Sequence, residues 1–338
     1  MKSRLNVAVL YRPGRNVEWH NKIAGQQVPD DAIEEASIHR DGLEAAGHNA
    51  HLVKWTPHNL SSMLDELKKF DIVFNASSLP EVAFLEAAGI PYCGSGLDLV
   101  ALDKATRKKL LAYHGVSTAP FVVVEADHAA GGSALSLSEL KKGWEPEPPL
   151  AYPMFVKPVR GRGSQGISDD SIVEDHASLV RQVELIISKL EQGALVESYL
   201  KGREVTVGVV GNPPTVLPPL EIEYNQARTN SFVHKMDNEI MHCPARITPE
   251  QTEKARQVAM ATFSALGARD FGRIDTILTE DGTPWVLEIN TFAGLQILTG
   301  KESHLHQSYI GAMAKQLDWD MAELVNRILD SARQRYNI

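Results

Sequence analysis

Two neighbouring apolar segments close to residue 280 each carry charged or amide side chains at alternate positions. The first carries Arg273 and Asp275, and the second carries Glu288 and Asn290. The Thr-Glu-Asp-Gly-Thr segment between them favours a tight turn, so the pattern predicts a β-hairpin. Because side chains alternate along a strand, the two members of each pair share one face, and a closed hairpin can direct all four into one cleft.

These four side chains suit a particular kind of ligand. Carboxylate and amide oxygens are the hard ligands that Mg²⁺ prefers, and a fixed guanidinium binds phosphate oxygens through paired hydrogen bonds. A hairpin with a solvated polar face is the alternative interpretation. The run Leu287–Asn290 has the pattern of a buried strand, and buried charges need partners. The pattern therefore favours a site for a metal ion and a nucleotide phosphate.

Composition argues against several other classes of function. The chain has 338 residues, 43% of them hydrophobic, which is enough for two or three packed domains. Its net charge of −9 argues against a nucleic acid or an acidic membrane as partner. Two cysteines are too few for a disulfide framework, and no apolar run has the length of a signal core or a membrane span. We therefore expect a cytoplasmic protein that acts on small molecules; a homodimer is an option that the sequence leaves open.

Strands alternate with helices in the first part of the chain. This order predicts a small parallel α/β domain over residues 1–97. Farther along, apolar periodicity predicts helices at 98–113, 176–191, 249–266 and 304–329, with β-like runs between them. The whole chain therefore has the pattern of an α/β (α+β) protein.

A glycine-rich loop follows Lys157, which ends a buried strand. Gly161, Gly163 and Gly166 alternate with polar residues, so backbone N–H groups can approach an anion while the lysine neutralises its charge. A flexible surface turn is the alternative. Glu197 lies at the end of another predicted buried strand. A carboxylate at that position can accept a hydrogen bond from an exocyclic amine or a ribose hydroxyl. Taken alone, Glu197 fits a solvated turn equally well.

Six blocks of the sequence, in their order along the chain, resemble the ATP-grasp carboxylate–amine ligases, and most closely the D-alanine–D-alanine ligase branch. They are Tyr92–Gly96 with Leu102–Lys104, Phe155–Pro158 with its glycine loop, Val196–Glu204, His242–Ala245, Gly272–Asp275 and Leu287–Thr291. The resemblance implies an ATP-grasp fold of three domains, with an N-terminal parallel α/β domain over 1–97, a central domain over 98–195 and a C-terminal domain over 196–338. It also implies that ATP is held between the last two domains.

The resemblance implies a role for each matching position. Lys104 and Lys157 would contact the phosphates and adenine of ATP, and Lys235 would reach the γ-phosphate. Adenine and ribose would be held by Glu197, Leu200 and Glu204, and the backbone at Ser198 would contact the adenine edge. Asp275, Glu288 and Asn290 would bind two Mg²⁺ or Mn²⁺ ions, and Arg273 would steady the acyl phosphate and the tetrahedral intermediate.

The part of the pattern that handles the amino acid departs from the family. The family's glycine loop usually has adjacent serines, but here Gly163 takes one place, and Ser164 remains as the catalytic candidate. The glutamate expected to contact the first substrate has Glu18, Glu34 and Glu35 as candidates, and Glu34 at a helix start fits better than Glu18.

Two further departures fall on the same side of the pattern. The family's His-Gly-x-x-Gly-Glu loop is replaced by Asn75–Glu81, which lacks the histidine. The serine–leucine pair that holds a second D-alanine is replaced by Leu295–Gly300, in which Thr299 could still donate a hydroxyl. We therefore expect a different acceptor from D-alanine.

The sequence predicts an ATP-dependent ligase that activates a carboxylate, an amino acid or small peptide, as an acyl phosphate and joins it to an amine. The first alternative is a true D-alanine–D-alanine ligase of cell-wall synthesis with degenerate loops. The second is a nucleotide-binding protein that has lost ligase activity and serves a regulatory role. The intact hairpin residues argue against the second.

Overall fold

The computed structural model describes residues 4–14, 30–75, 79–125, 150–161, 165–224, 239–298 and 307–338, and its strands form three sheets. The predicted residues Ser164, Lys235 and Thr299, together with Glu18 and Gly163, lie outside the described residues. Within the described ranges, no helix is both long and apolar enough to cross a bilayer.

The N-terminal sheet has four parallel strands in the order β2-β1-β3-β4. Its elements are β1 (Asn6–Tyr11), α1 (Ala32–Ala45), β2 (Asn49–Lys54), α2 (Leu60–Leu67), β3 (Ile72–Asn75), α3 (Leu79–Ala87) and β4 (Tyr92–Cys93). The four residues from Val7 to Leu10 are completely buried, as expected of a central parallel strand covered on both faces. The predicted parallel α/β arrangement is confirmed.

The central sheet is antiparallel, in the order β5-β8-β6-β7, with one long helix against it. Its elements are β5 (Phe121–Val124), β6 (Met154–Pro158), β7 (Ile172–Val173), α6 (His176–Leu190) and β8 (Ala194–Ser198). Two short helices, α4 (Leu97–Val100) and α5 (Lys104–Tyr113), precede it. The expected boundary at residue 196 lies inside β8, which pairs along its whole length within this sheet.

The C-terminal sheet is also antiparallel, in the order β12-β11-β9-β13-β14, with β10 paired to β9. Its elements are β9 (Gly202–Val210), β10 (Thr215–Val216), β11 (Leu220–Tyr224), β12 (Glu239–His242), α7 (Pro249–Ala265), β13 (Phe271–Thr279) and β14 (Pro284–Asn290). Helix α7 packs on β9, β13 and β14. It begins with a capping box between Thr248 and Gln251 and with Pro249 in its first turn, where a missing N–H costs nothing.

Two helix predictions were wrong in detail. The segment 98–113 is not one helix. Helix α4 ends at Val100 and α5 begins at Lys104, with Asp103 as its N-cap: the Asp103 carboxylate accepts from the Thr106 N–H at 2.7 Å. Helices near the C-terminus are α8 (Tyr309–Lys315) and α9 (Met321–Tyr336), separated by Asp318 in the left-handed conformation. The last helix ends at Tyr336, seven residues beyond the predicted end at 329.

The last helix packs against the N-terminal part of the chain. Helix α9 packs against α1, and one buried cluster combines side chains of both with others from β1, β3 and β11. Buried Asp270, just before β13, strengthens this joint. Its carboxylate accepts from the Gly94 N–H at 2.7 Å, from the Ser331 hydroxyl at 2.8 Å and from Arg335. The strand that carries Arg273 is thus tied at its start to β4 and to α9.

Candidate active site

The hairpin of β13 and β14 places the four predicted side chains on one face. Arg273 lies opposite Asn290, and Asp275 lies opposite Glu288. The turn between the strands is closed by Asp281, whose carboxylate accepts from the Thr279 and Thr283 hydroxyls. A register shift follows Asp275, and the pairing then continues from Thr276 opposite Val286 to Leu278 opposite Pro284.

Asp275 is the most heavily bonded carboxylate of the hairpin. Arg273 donates to both of its oxygens, from Nε and Nη2, at 2.8 Å each. The Thr206 hydroxyl on β9 donates at 2.6 Å, and the Asn290 amide donates at 2.7 Å. Because charge-assisted bidentate pairs are strong and directional, these contacts fix the carboxylate and the edge of the guanidinium that faces it.

Burial and charge act in opposite directions on Arg273. Burial disfavours the charged guanidinium, but the adjacent Asp275 outweighs burial, so the pKa of Arg273 is raised. The side chain remains a cation at any physiological pH. It is therefore a permanent positive charge beside the carboxylates of the hairpin.

The donor set of the hairpin fits a hard divalent cation. Asp275 and Glu288 offer carboxylate oxygens, and Asn290 offers an amide oxygen once its N–H₂ group points at Asp275. Within the ranges that the structure describes, no group of three or more His, Cys, Asp or Glu side chains is arranged to hold a metal ion. An ion at the hairpin would therefore depend on Asn290 as well as on the two carboxylates.

A second charged cluster lies on the central sheet around Glu197. Lys157 Nζ lies 2.7 Å from Glu197 Oε1, and Lys108 Nζ lies 3.0 Å from Glu197 Oε2. Burial lowers the pKa of Lys108, and the two lysines together hold the pKa of the Glu197 carboxyl below its usual value although burial opposes them. Glu197 lies opposite Phe155 on the adjacent antiparallel strand, and Lys157, two residues after Phe155, is therefore its diagonal neighbour on the same face.

Lys104 connects this cluster with the glycine loop and the hairpin. Its Nζ donates to the Gly161 carbonyl at 2.7 Å, and its backbone N–H donates to the Val159 carbonyl at 3.1 Å. Burial lowers the pKa of Lys104 to about 8, Glu288 opposes that shift, and Lys157 adds to it. The lysine is therefore within electrostatic reach of both the central and the C-terminal sheets.

Four residues of this region were not singled out by the sequence reasoning. Lys108 occupies the position one helical turn after Lys104, a spacing that places the two on one face and that could have revealed it. Arg107 donates to the Ile289 carbonyl at 3.2 Å, next to Glu288. Thr206 and Tyr309 contact Asp275 and Arg273 from other elements, and no local sequence signal reveals such contacts.

The other predicted residues fall into two groups. Ser198 ends β8 and Leu200 lies in the turn that follows, so both are adjacent to Glu197. Glu204 lies on β9 and accepts from the Tyr224 hydroxyl at 3.1 Å. Glu34 lies in the first turn of α1, in the N-terminal part of the chain, whereas the other described candidates lie at residue 104 or beyond.

The fold and this arrangement of cations and oxygen ligands define a ligase of the ATP-grasp class. The family model for the D-alanine–D-alanine ligase C-terminus matches residues 110–330. The chain belongs to the D-alanine–D-alanine ligase family, as the sequence blocks predicted. Two relatives each match 75% of this chain.

An uncharacterized protein, y4sG, of Sinorhizobium fredii is 34% identical over 263 residues, which are 75% of this chain and 70% of that protein. A D-alanine–D-alanine ligase of Nitratidesulfovibrio vulgaris, strain Hildenborough, is 34% identical over 265 residues, 75% of this chain and 80% of the ligase.

Solved structures show the same fold over nearly the full length. The crystal structure of a D-alanine–D-alanine ligase from Bacillus anthracis has a TM-score of 0.75 and 20% identity, and covers 99% of both chains. The structure of that ligase complexed with ATP has a TM-score of 0.72, covering 98% of this chain and 99% of that one. The VanG D-Ala:D-Ser ligase of Enterococcus faecalis also has a TM-score of 0.72, with 98% and 100% coverage. The predicted α/β (α+β) ATP-grasp fold class is confirmed.

Proposed function

We propose that this protein is an ATP-dependent ligase that joins a carboxylate, an amino acid or small peptide, to an amine and releases ADP and phosphate. The observation that carries the proposal is the pairing of Arg273 with Asp275 beside Glu288 and Asn290. The pKa of Lys104 is raised by Glu288 and lowered by Lys157, so Lys104 is a further cation close to both the hairpin and the cluster around Glu197. Such a set of cations and oxygen ligands suits the transfer of a phosphoryl group.

We assign the nucleotide to the groups around Glu197. Lys104 and Lys157 would neutralise phosphate charge, while Glu197, Ser198, Leu200 and Glu204 would contact adenine and ribose; Lys235 is assigned to the γ-phosphate. The similarity to a ligase whose structure contains ATP supports this assignment. So does the burial of Glu197 between two lysines, since a desolvated site strengthens every charge interaction within it.

The chemistry has two steps. An oxygen of the substrate carboxylate attacks the γ-phosphorus of ATP, ADP leaves, and an acyl phosphate forms. The amine nitrogen of the second substrate then attacks the acyl carbon, phosphate departs with the electron pair of the C–O bond, and the nitrogen releases a proton. Arg273 would stabilise the negative charge that develops at the acyl phosphate and at the tetrahedral intermediate.

Mg²⁺ or Mn²⁺, two ions in our assignment, would be held by Asp275, Glu288 and Asn290, and would neutralise phosphate charge. We assign Ser164 and Glu34 to the amino-acid side of the site. We also propose a first domain over 1–97, a second that ends after β8 rather than at the expected residue 195, and a third that continues to residue 338. We further propose a cytoplasmic location where ATP is available, and small molecules as the only substrates.

A true D-alanine–D-alanine ligase is the second candidate. The name of the N. vulgaris relative, at 34% identity, favours it. The departures at 163 and at 295–300 argue for another acceptor, because a missing hydroxyl would leave a substrate carboxylate poorly satisfied.

A phosphate-release screen over D- and L-amino acids, singly and in pairs, with ATP and Mg²⁺, tests both candidates. Turnover with a pair other than two D-alanines supports our proposal. Turnover of roughly 1 s⁻¹ or more with D-alanine as the sole substrate identifies the second candidate. ATP binding without turnover across the whole panel would contradict both and favour a regulatory role.

A further inference from the structure

Asp275 restrains Arg273 along one edge of its guanidinium. The Nε and Nη2 atoms donate to the two carboxylate oxygens, so this pair uses two of the five N–H groups of the arginine. The remaining N–H groups lie along the other edges of the same plane. An in-plane pair of this kind defines the edge that faces Asp275, but it leaves the plane itself free to tilt about the line of the two bonds.

The aromatic ring of Tyr309 covers the face of the same guanidinium. The Cζ atom of Arg273 lies 4.7 Å from the ring centroid, well within the range of a cation–π interaction. A contact on the face resists the tilt that the Asp275 pair allows. The two contacts are therefore complementary, one acting in the guanidinium plane and the other perpendicular to it.

Tyr309 is itself held at both ends. Its hydroxyl donates to Glu239 on β12, and its raised pKa, caused first by burial and then by Glu239, keeps the phenol protonated as a donor. At its backbone end, Tyr309 is the first residue of α8, whose cap Ser308 accepts from the Gly311 N–H at 3.0 Å and donates to the Gln296 carbonyl at 3.0 Å.

The start of α8 also fits closely against the segment that follows the hairpin. A Cβ atom added to Gly311 would lie 2.1 Å from the Gln296 carbonyl oxygen, so only glycine allows this approach. Helix α8, strand β12 and the segment after Asn290 thus determine together where the ring lies.

We propose that Tyr309 is a positioning residue for the reaction, which fixes the plane of the Arg273 guanidinium so that its free N–H edge faces the reacting phosphoryl and acyl oxygens. This inference rests on the proposed function, because it assumes that Arg273 stabilises those oxygens. An arginine fixed in this way needs little reorganisation in the transition state, and such preorganisation acts on kcat more than on substrate binding.

Variants at Tyr309 separate the ring from the hydroxyl. Tyr309→Phe keeps the ring and loses the bond to Glu239, and we expect its kcat to stay within about threefold of the wild type. Tyr309→Leu and Tyr309→Met lose the ring, and we expect kcat to fall about tenfold or more, as for the loss of a desolvated cation–π contact. The KM for ATP should change less than about twofold in all three, because the nucleotide contacts are elsewhere.

A matched control comes from a second stacked arginine remote from the hairpin. Arg327 Cζ lies 4.2 Å from the ring centroid of Trp319, both near the start of α9. Trp319→Leu removes a contact of the same kind, and we expect kcat within about twofold of the wild type even if its melting temperature falls. Unchanged kcat in the Leu and Met variants of Tyr309, an equal loss in the Phe variant, or a parallel rise in the KM for ATP would each overturn the proposal.

A measurement without turnover distinguishes this proposal from the proposed function. The side-chain Nε–H resonance of Arg273 in the ligand-free protein can be assigned by its loss in Arg273→Lys. We expect the guanidinium to rotate more slowly in the wild type and in Tyr309→Phe than in Tyr309→Leu or Tyr309→Met, in which only the Asp275 pair restrains it. If no substrate pair is turned over, the proposed function fails, while this measurement still decides whether Tyr309 fixes Arg273; equal rotation in all variants would refute it.

Discussion

Lys157 Nζ lies 2.7 Å from Glu197 Oε1, and both side chains are almost completely buried. Lys108, which is 1% exposed, reaches the other carboxylate oxygen and also donates to the Thr118 hydroxyl at 2.5 Å. Thr118 in turn donates to the Val286 carbonyl on β14 at 2.9 Å. One carboxylate thus compensates two buried cations, and the hydrogen bonds beyond it connect the central sheet with the hairpin strand of the candidate site.

Removing the charge of Glu197 should destabilise the fold. Glu197→Gln leaves two buried lysines without a compensating charge, and we expect a loss of about 3–5 kcal/mol in the free energy of unfolding. Urea denaturation followed by fluorescence measures this loss. The exposed pair of Glu66 and Lys69 provides the control, since Glu66→Gln should cost less than about 1 kcal/mol. Similar midpoints for the two variants would show that the buried pair is not structurally important.

Nucleotide affinity should depend on pH through Lys104. Its pKa of about 8 in the folded protein means that the side chain is a cation below pH 8 and loses its charge as the pH rises through that value. Bound phosphate favours the cation, so the midpoint should move upward when ATP binds. We expect the dissociation constant for ATP, measured by calorimetry without divalent cations, to rise about tenfold between pH 7 and pH 10.

The variant Lys104→Met should bind ATP weakly and with a much flatter pH profile. Lys109→Met is the control, because Lys109 is an exposed residue of the same helix. An unchanged pH profile in Lys104→Met would assign the titration to another group and remove Lys104 from the phosphate site.

The hairpin could be predicted from the sequence because its information is local. Alternation of apolar and polar residues gave the strands, and the Thr-Glu-Asp-Gly-Thr segment gave the turn, so the shared face of Arg273 and Asp275 followed from the geometry of a strand. The break before α5 also has a local signal: Asp103 is a typical N-cap residue, and its carboxylate accepts from the Thr106 N–H, whereas apolar periodicity alone predicts a continuous helix.

The partners of these residues could not be predicted, because they come from distant parts of the chain. Thr206 reaches Asp275 from β9, Tyr309 reaches Arg273 from α8, and Lys108 reaches Glu197 from α5. Such contacts depend on the packing of whole elements, which apolar periodicity does not encode. The boundary placed at residue 196 shows the same limitation, since only strand pairing assigns all of β8 to the central sheet.

Turnover should depend on Glu288 through its charge. Glu288→Gln keeps the shape of the side chain but removes one of the two carboxylates proposed to hold Mg²⁺, and we expect kcat to fall about 100-fold or more with an unchanged melting temperature. Phosphate release measured over a Mg²⁺ titration tests this expectation. Glu280→Gln, in the exposed turn of the same hairpin, should behave like the wild type. Near-normal turnover of Glu288→Gln at low Mg²⁺ would remove Glu288 from the metal site.

Asp270 should be important for the joint between the first and last parts of the chain. It is 2% exposed, its φ is 63°, and its carboxylate accepts from Gly94, Ser331 and Arg335. Asparagine tolerates this left-handed conformation, so Asp270→Asn tests the charge alone. We expect a loss of about 2–4 kcal/mol in the free energy of unfolding, because Arg335 would lose its buried counter-ion.

Asp318 is the matched control: its φ is 56° and it is exposed, so Asp318→Asn should change stability by less than about 0.5 kcal/mol. Equal stability of the two variants would mean that Arg335 finds another partner, and that the start of β13 is held to β4 and α9 by apolar packing rather than by this carboxylate.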